Sequence, residues 1–196
     1  MTHHKTIKHY HEPGDFHELT FSCYRRMPLL TNDAWRRHFA RGLDKALAAE
    51  EFHLVAFVLM PEHVHLLVWP TFAGTTADSI SRFLAAVKVH ASQQVKADLE
   101  RSGSRLLSRL TIRARPGRTV FRYWQEGPGY DRNLQTEEAV MASVDYIHLN
   151  PVRRRLCESA VDWRWSSARW YVSEGTNVDD DLPTIHGPPP ELFRPC

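Results

Sequence analysis

Residues 53–70 read HLVAFVLMPEHVHLLVWP, two apolar runs parted by Met60, Pro61 and Glu62. Proline cannot continue a central strand ladder, so the break is a hairpin and the runs are neighbouring strands. In the second run, alternation sets His63, His65, Leu67 and Trp69 on one face and Val64, Leu66 and Val68 on the other. The two imidazoles therefore leave one face of a strand about 6.6 Å apart at the backbone, near enough to converge on one cation. Alone, a His-x-His strand is a weak signal, because histidines that cap a sheet edge give the same pattern.

Working outward, HELTFSCY at residues 17–24 alternates Leu19, Phe21 and Cys23 against Glu18, Thr20 and Ser22, a half-buried strand. From Asp33 to Glu51 an apolar residue recurs every fourth position (Trp35, Phe39, Leu43, Leu47), giving an amphipathic helix with Asn32 as its N-cap. A second helix from Asp78 to about Glu100 carries Ile80, Leu84, Val87, Ala91 and Val95. TVFRYW at 119–124 reads as a short strand and EGPGY at 126–130 as a turn. A third helix runs from about Glu137 to Leu149, capped by Thr136 and stopped by Pro151, with Val140, Val144 and Ile147 towards the core. The order strand, helix, strand, strand, helix, strand predicts an α+β fold. It is a ferredoxin-like antiparallel sheet with helices packed on one face, plus a C-terminal helix. Many unrelated functions use such sheets, so the site must decide the function.

The chain of 196 residues suits one substantial core. The expected organisation is a flexible His-rich N-terminus at 1–15 (with His3, His4, His9 and His11), a catalytic domain at 16–172 and an acidic, Pro-rich tail at 173–196. No apolar stretch reaches the roughly 20 residues that cross a bilayer, and the polar start lacks the apolar segment of a secretory signal. Cys23, Cys157 and Cys196 are widely spaced and form no metal or disulfide pattern. A cytoplasmic, non-membrane protein, monomer or homodimer, is expected.

The formal charge of +2 conceals a division, because the segment from 173 onward holds five acids against one base. Seven arginines, Arg101, Arg105, Arg109, Arg113, Arg115, Arg118 and Arg122, occur with no acid among them. Arg153, Arg154 and Arg155 add a second run. Such blocks attract polyanions through counterion release, although a solvated basic loop has the same composition.

Tyr146 lies near the end of the third helix in VDYIHLNP, with Ala142, Ser143 and Asn150 about one turn away. The small residues leave room around the phenol, and the Asn150 amide shares its face. A tyrosine packed on the sheet, with Asn150 as a C-cap, is the plainer alternative. His148, two residues on, diverges from Tyr146 by about 200° and reads as structural or DNA-facing. Glu62 and Asp145 adjoin the candidate ligands in sequence; Tyr130 and Asp131 carry no assigned role. Trp124 and Trp165 suit base stacking but fit core packing better.

PEHVHLLVWP, SRFLAAVKVHAS, YWQEGPGYDRNL, VDYIHLNPVRRRL and WRWSSARWY occur in that order. The set resembles the REP-associated tyrosine transposases, a branch of the HUH single-tyrosine transposases and endonucleases, from about Phe16 to Tyr171. HUH denotes His, bulky hydrophobe, His, here His63, Val64 and His65. The resemblance implies a metal on the two histidines and a nucleophile at Tyr146 on a following helix. In related insertion-sequence transposases a glutamine one turn beyond the tyrosine completes the metal site; here Asn150, one methylene shorter, holds that place. The cofactor implied is a divalent metal, Mg2+ or Mn2+, and the partner single-stranded or hairpin DNA. The expected reaction is single-strand cleavage and strand transfer at palindromic DNA through a 5′-phosphotyrosine, leaving a free 3′ hydroxyl. The region from Arg101 to Gly117 and the acidic segment exceed the family's usual pattern and inherit no role.

The chemistry is coherent. With a pKa near 10, only about one phenol in a thousand is ionised at neutral pH, and a phosphodiester repels anions. A cation that binds a non-bridging oxygen relieves both problems. The rival expectation is a non-catalytic DNA- or RNA-binding protein of the same fold.

Overall fold

The computed structural model describes residues 15–71, 76–127 and 129–193. The N-terminal histidines, Cys196 and Arg194 lie outside them. Strand β1 (Phe16–Ser22), helix α1 (Asp33–Glu50), strands β2 (Phe52–Leu59) and β3 (His63–Pro70) and helix α2 (Ala77–Arg101) follow the expected order. Asn32 caps α1 by accepting from the Ala34 and Trp35 amides. The apolar stripes of α1 and α2 pack with Leu19, Phe21, Leu66 and Val68 in the larger core.

Two expectations are corrected. TVFRYW does not supply the last strand of the main sheet. After helix α3 (Leu106–Leu110), strands β4 (Thr111–Arg115) and β5 (Arg118–Phe121) form a separate hairpin, and the fourth strand is β6 (Tyr130–Leu134). The apolar end of TVFRYW is used differently, since Tyr123 and Trp124 are buried in the core beside Ser22–Tyr24. Pro151 does not stop the third helix either. Helix α4 (Glu137–Arg153) passes through it by one half-turn. YDRNL carries no apolar alternation because β6 faces polar partners: Asp131 pairs with buried His17, and the Asn133 amide donates to Asp15.

The sheet order β2-β3-β1-β6 is antiparallel throughout and is the ferredoxin-like order. Helix α4 packs on the opposite face from α1 and α2, where Val140, Val144 and Ile147 meet Phe16, Val58 and Leu67 in a second core. A bulge between Leu54 and Ala56 lets β2 serve both cores. Before β6, Gly129 takes φ +94° against β1, where a Cβ would overlap the Thr20 carbonyl. That contact seats β6 beside β1 on the face that α4 crosses.

Beyond β2, Leu59 and Ser167 amides pair with the Trp165 and Phe57 carbonyls, and the His186 amide donates to Leu54. The short helix α5 (Ala168–Val172) leads into the acidic segment. There Asp179 and Asp181 grip Arg164, and Leu182 and Ile185 rest on the core. Backbone pairing thus covers an edge strand that would otherwise be open. Phe57 is fully buried between these layers. Phe57→Ala is expected to destabilise the fold by about 3–5 kcal/mol in a chemical denaturation curve.

Candidate active site

A cleft of about 680 Å³ opens between the β1–β6 side of the sheet and α4. Its floor is set by strand alternation: Glu18, Thr20 and Ser22 of β1 share a face with His63 and His65 of β3, and Tyr130 and Arg132 of β6 continue it. Its wall is one stripe of α4, with Ala142, Ser143, Tyr146 and Asn150 spaced three or four apart. Tyr146 and the two histidines are thus brought together from 81 or more residues apart in sequence.

The histidine rings meet edge to face, with their Nε2 atoms 3.0 Å apart. Glu62 Oε1 lies 3.1 Å from His63 Nδ1. An ionised carboxylate only accepts, so this Nδ1 donates and Nε2 keeps its lone pair. His65 Nδ1 lies 2.8 Å from Thr20 Oγ1, while the Asn150 amide approaches His65 Nε2 at 3.3 Å. This network favours the His65 tautomer with its lone pair also on Nε2. Burial lowers the pKa of both imidazoles, that of His65 to about 3 with help from His63, so both are neutral at pH 7. Burial works to raise the Glu62 pKa, but Arg154, at 2.9 Å, and His63 outweigh it and the net shift is downward.

The donor set fits a divalent cation. Two ligands about 2.1 Å from an octahedral ion and at right angles lie about 3.0 Å apart, the separation of the two Nε2 atoms. Turning the Asn150 amide over would put its carbonyl oxygen beside them. Glu62 stands behind His63, the place of a carboxylate that orients a ligating imidazole. Among the described residues, no group of three or more His, Cys, Asp or Glu side chains gathers as a metal site. Two imidazoles and an amide are what this cleft offers.

The Tyr146 ring stands perpendicular to His65 with centroids 5.5 Å apart, and the Arg153 guanidinium lies over its other side at 5.2 Å. It is 40% exposed, so its hydroxyl is open to a ligand in the cleft. His148 is instead buried, 2.7 Å from Ser167 Oγ and against Tyr171, with its pKa pushed down to about 4 by burial. It is structural. Asp145 is exposed and does not line the cleft. Trp124 and Trp165 are core residues.

The arginines divide. Of those singled out in the sequence, Arg154 lines the cleft and Arg153 covers the tyrosine. Arg105, Arg109, Arg113, Arg115, Arg118 and Arg122 lie on α3 and the β4–β5 hairpin, whose Leu106, Leu110 and Phe121 pack with the α1–α2 core. None of these six lines the cleft. Arg155 follows α4 in a left-handed conformation and is exposed. Sequence reasoning missed Arg26, Arg132, Glu18 and Thr20, all of which line the cleft. The alternation of HELTFSCY already put Glu18 and Thr20 on the face away from Leu19. Only the unrecognised β6 strand could have revealed Arg132.

Residues 15–109 match the family model described as Transposase IS200 like. Through this segment, a little under half of its length, the chain is similar to the IS200-like transposases. The segment includes His63 and His65 and ends before α4, so Tyr146 and Asn150 lie outside it. Among solved structures, the chain is similar to a REP-associated tyrosine transposase bound to a REP hairpin. The identity is 19%, the TM-score 0.62, and the match covers 96% of this chain and 98% of that one. At that identity the likeness shows the fold, including its extent to the last strand and α4. A crystal structure of a protein provisionally described as a transposase of Deinococcus radiodurans R1 is 17% identical over 76% of this chain and 97% of that one, with a TM-score of 0.42. No curated protein matches in sequence. Among the described residues, no helix is long and apolar enough to cross a membrane.

Proposed function

We propose that the chain cleaves and rejoins single-stranded DNA at palindromic or hairpin sequences, with Tyr146 as nucleophile and a divalent metal, Mg2+ or Mn2+, on His63, His65 and Asn150. The observation that carries this reading is the meeting, in one cleft, of an exposed phenol and two buried imidazoles whose Nε2 atoms lie 3.0 Å apart. The match of residues 15–109 to the IS200-like transposase model supports it. So does the hairpin bound by the structurally similar REP-associated transposase.

The bound cation would supply charge to a non-bridging phosphate oxygen. Around it, Arg26, Arg132 and Arg154 offer a cationic lining for the backbone, and the Ala142 and Ser143 side chains leave space beside the phenol. Tyr146 Oη forms a bond to phosphorus as the bond to the 3′ oxygen breaks. The proton lost from the phenol is balanced by the one the 3′ oxygen gains, and the phosphotyrosine keeps the bond energy for rejoining. The described part of the acidic segment from 173 onward belongs with the body, beside β2. The protein works as a monomer or homodimer in the cytoplasm.

The test is to incubate the protein with labelled single strands from the palindromes that flank its gene, with and without Mg2+. Cutting only with the ion supports the proposal. Binding without cutting under either condition would favour the non-catalytic DNA-binding alternative.

The arginine hairpin gives a separate expectation. It stands away from the cleft, so it would hold flanking DNA and take no part in the chemistry. Charge reversal at Arg105, Arg109, Arg113 and Arg115 is expected to weaken DNA binding and to reduce the salt slope by about one for each phosphate that is no longer neutralised. Binding measured at several salt concentrations checks it; a slope equal to the parent's would make the segment a bystander.

A further inference from the structure

Glu18 is a carboxylate in an unexpected place. It is 6% exposed, on the floor of a cleft whose lining also includes Arg26, Arg132 and Arg154. Its partners are the Ser143 hydroxyl, which donates to Oε2 at 3.0 Å, and Arg132, 3.9 Å away and itself more than half exposed. A carboxylate has about four lone-pair sites, so one hydroxyl and a loose, solvated ion pair leave most of its capacity unused. Neither oxygen is sealed away without a partner, and the residue lines the cleft. Beside a phosphate this charge would be repulsive. Against the donor edge of a nucleobase it is complementary.

The surroundings suit a base. Glu18 lies two residues along β1 from Thr20, the residue that holds His65, so it stands about 6.8 Å from the metal end of the floor. Ala139 and Ala142 keep that part of the α4 wall low. Tyr130, paired with Thr20 and 54% exposed, offers a ring on the same rim for stacking.

We infer that Glu18, steadied by Ser143, reads the Watson–Crick edge of a base next to the cleaved phosphate, and that Tyr130 stacks on it. Guanine fits best, because its adjacent N1–H and N2–H donors match the two oxygens of a carboxylate. This rests on the reading of the cleft as a DNA site. It adds a base preference to that site.

The test uses the full chain and short thymidine oligonucleotides with one central dG, dC or dA, or none, with affinity read by fluorescence anisotropy. The parent is expected to favour the dG strand by about 5- to 150-fold. Glu18→Gln, which swaps one acceptor for a donor at nearly constant shape, is expected to remove that preference. Tyr130→Ala is expected to weaken all four strands alike, since stacking tolerates any base. A parent that binds all four equally, or a Glu18→Gln variant that keeps the parent's order, overturns the inference. Metal-dependent cleavage is measured in parallel. A base preference that depends on Glu18 without cleavage would leave this inference standing and sink the nuclease reading, and cleavage with no such preference would do the reverse.

Discussion

Tyr146→Phe is expected to lower strand cleavage by roughly a thousandfold or more while the fold, metal affinity and DNA affinity stay near the parent's. The substitution removes one hydroxyl. Its ring has the same shape, so the edge-on packing with His65 and the Arg153 guanidinium over the other side are both kept. The hydroxyl has no hydrogen-bond partner among the described residues whose loss would disturb α4, and Val140, Val144 and Ile147 anchor that helix from its other side. A fall in thermal stability alongside the lost cleavage would instead assign the phenol a structural role. Gel assays on single-stranded substrate, with anisotropy for binding, separate the two outcomes.

His63→Ala and His65→Ala are each expected to reduce cleavage to the level seen in excess EDTA, with DNA affinity changed much less. Each removes one of the two imidazole ligands, and the single imidazole and amide that remain are a poor site for a divalent ion. Titration calorimetry with Mn2+ should show the loss directly, apart from any activity. The histidines' low pKa values add a pH expectation. Burial holds His65 near 3 and lowers His63, so protonation competes with the metal less than at two free imidazoles as pH falls through 6.5, the usual imidazole value. Mn2+ affinity should therefore fall less between pH 7 and 6 than it would at two free imidazoles. Undiminished cutting in EDTA would remove the metal from the mechanism.

What the sequence made legible follows from how strongly each residue is tied to a buried pattern. The helices α1 and α2 and the β2–β3 hairpin carry apolar stripes of one clear period, so their type and place could be read directly. The face shared by His63 and His65 followed from the same alternation. Strand β6 was hidden because an edge strand whose side chains meet His17, Asp15 and an open cleft has no reason to be apolar. TVFRYW misled for the opposite reason, since Tyr123 and Trp124 are core residues reached after the hairpin has ended. Pro151 was read as a stop, yet near a helix C-terminus it leaves most of the ladder intact. Within the site, the convergence of Tyr146 on His65 depends on α4 crossing the sheet face opposite α1 and α2. Spacing along the chain carries no such information. The same holds for Glu62, which the sequence set beside the histidines and the structure puts on His63 Nδ1, with Arg154 behind it.

The central claim is a covalent bond between Tyr146 and DNA. Among the described residues, Tyr130 and Tyr146 are the strongly exposed tyrosines, while Tyr171 donates to the Val55 carbonyl and burial raises its pKa. The most direct measurement is mass spectrometry of the digested protein after reaction with a suicide oligonucleotide and Mg2+, in which the 3′-hydroxyl fragment dissociates and rejoining is prevented. The account predicts a peptide modified at Tyr146 through a 5′ phosphate. An adduct at Tyr130 or Tyr171, or cleavage that leaves two free ends and no modified tyrosine, would contradict it.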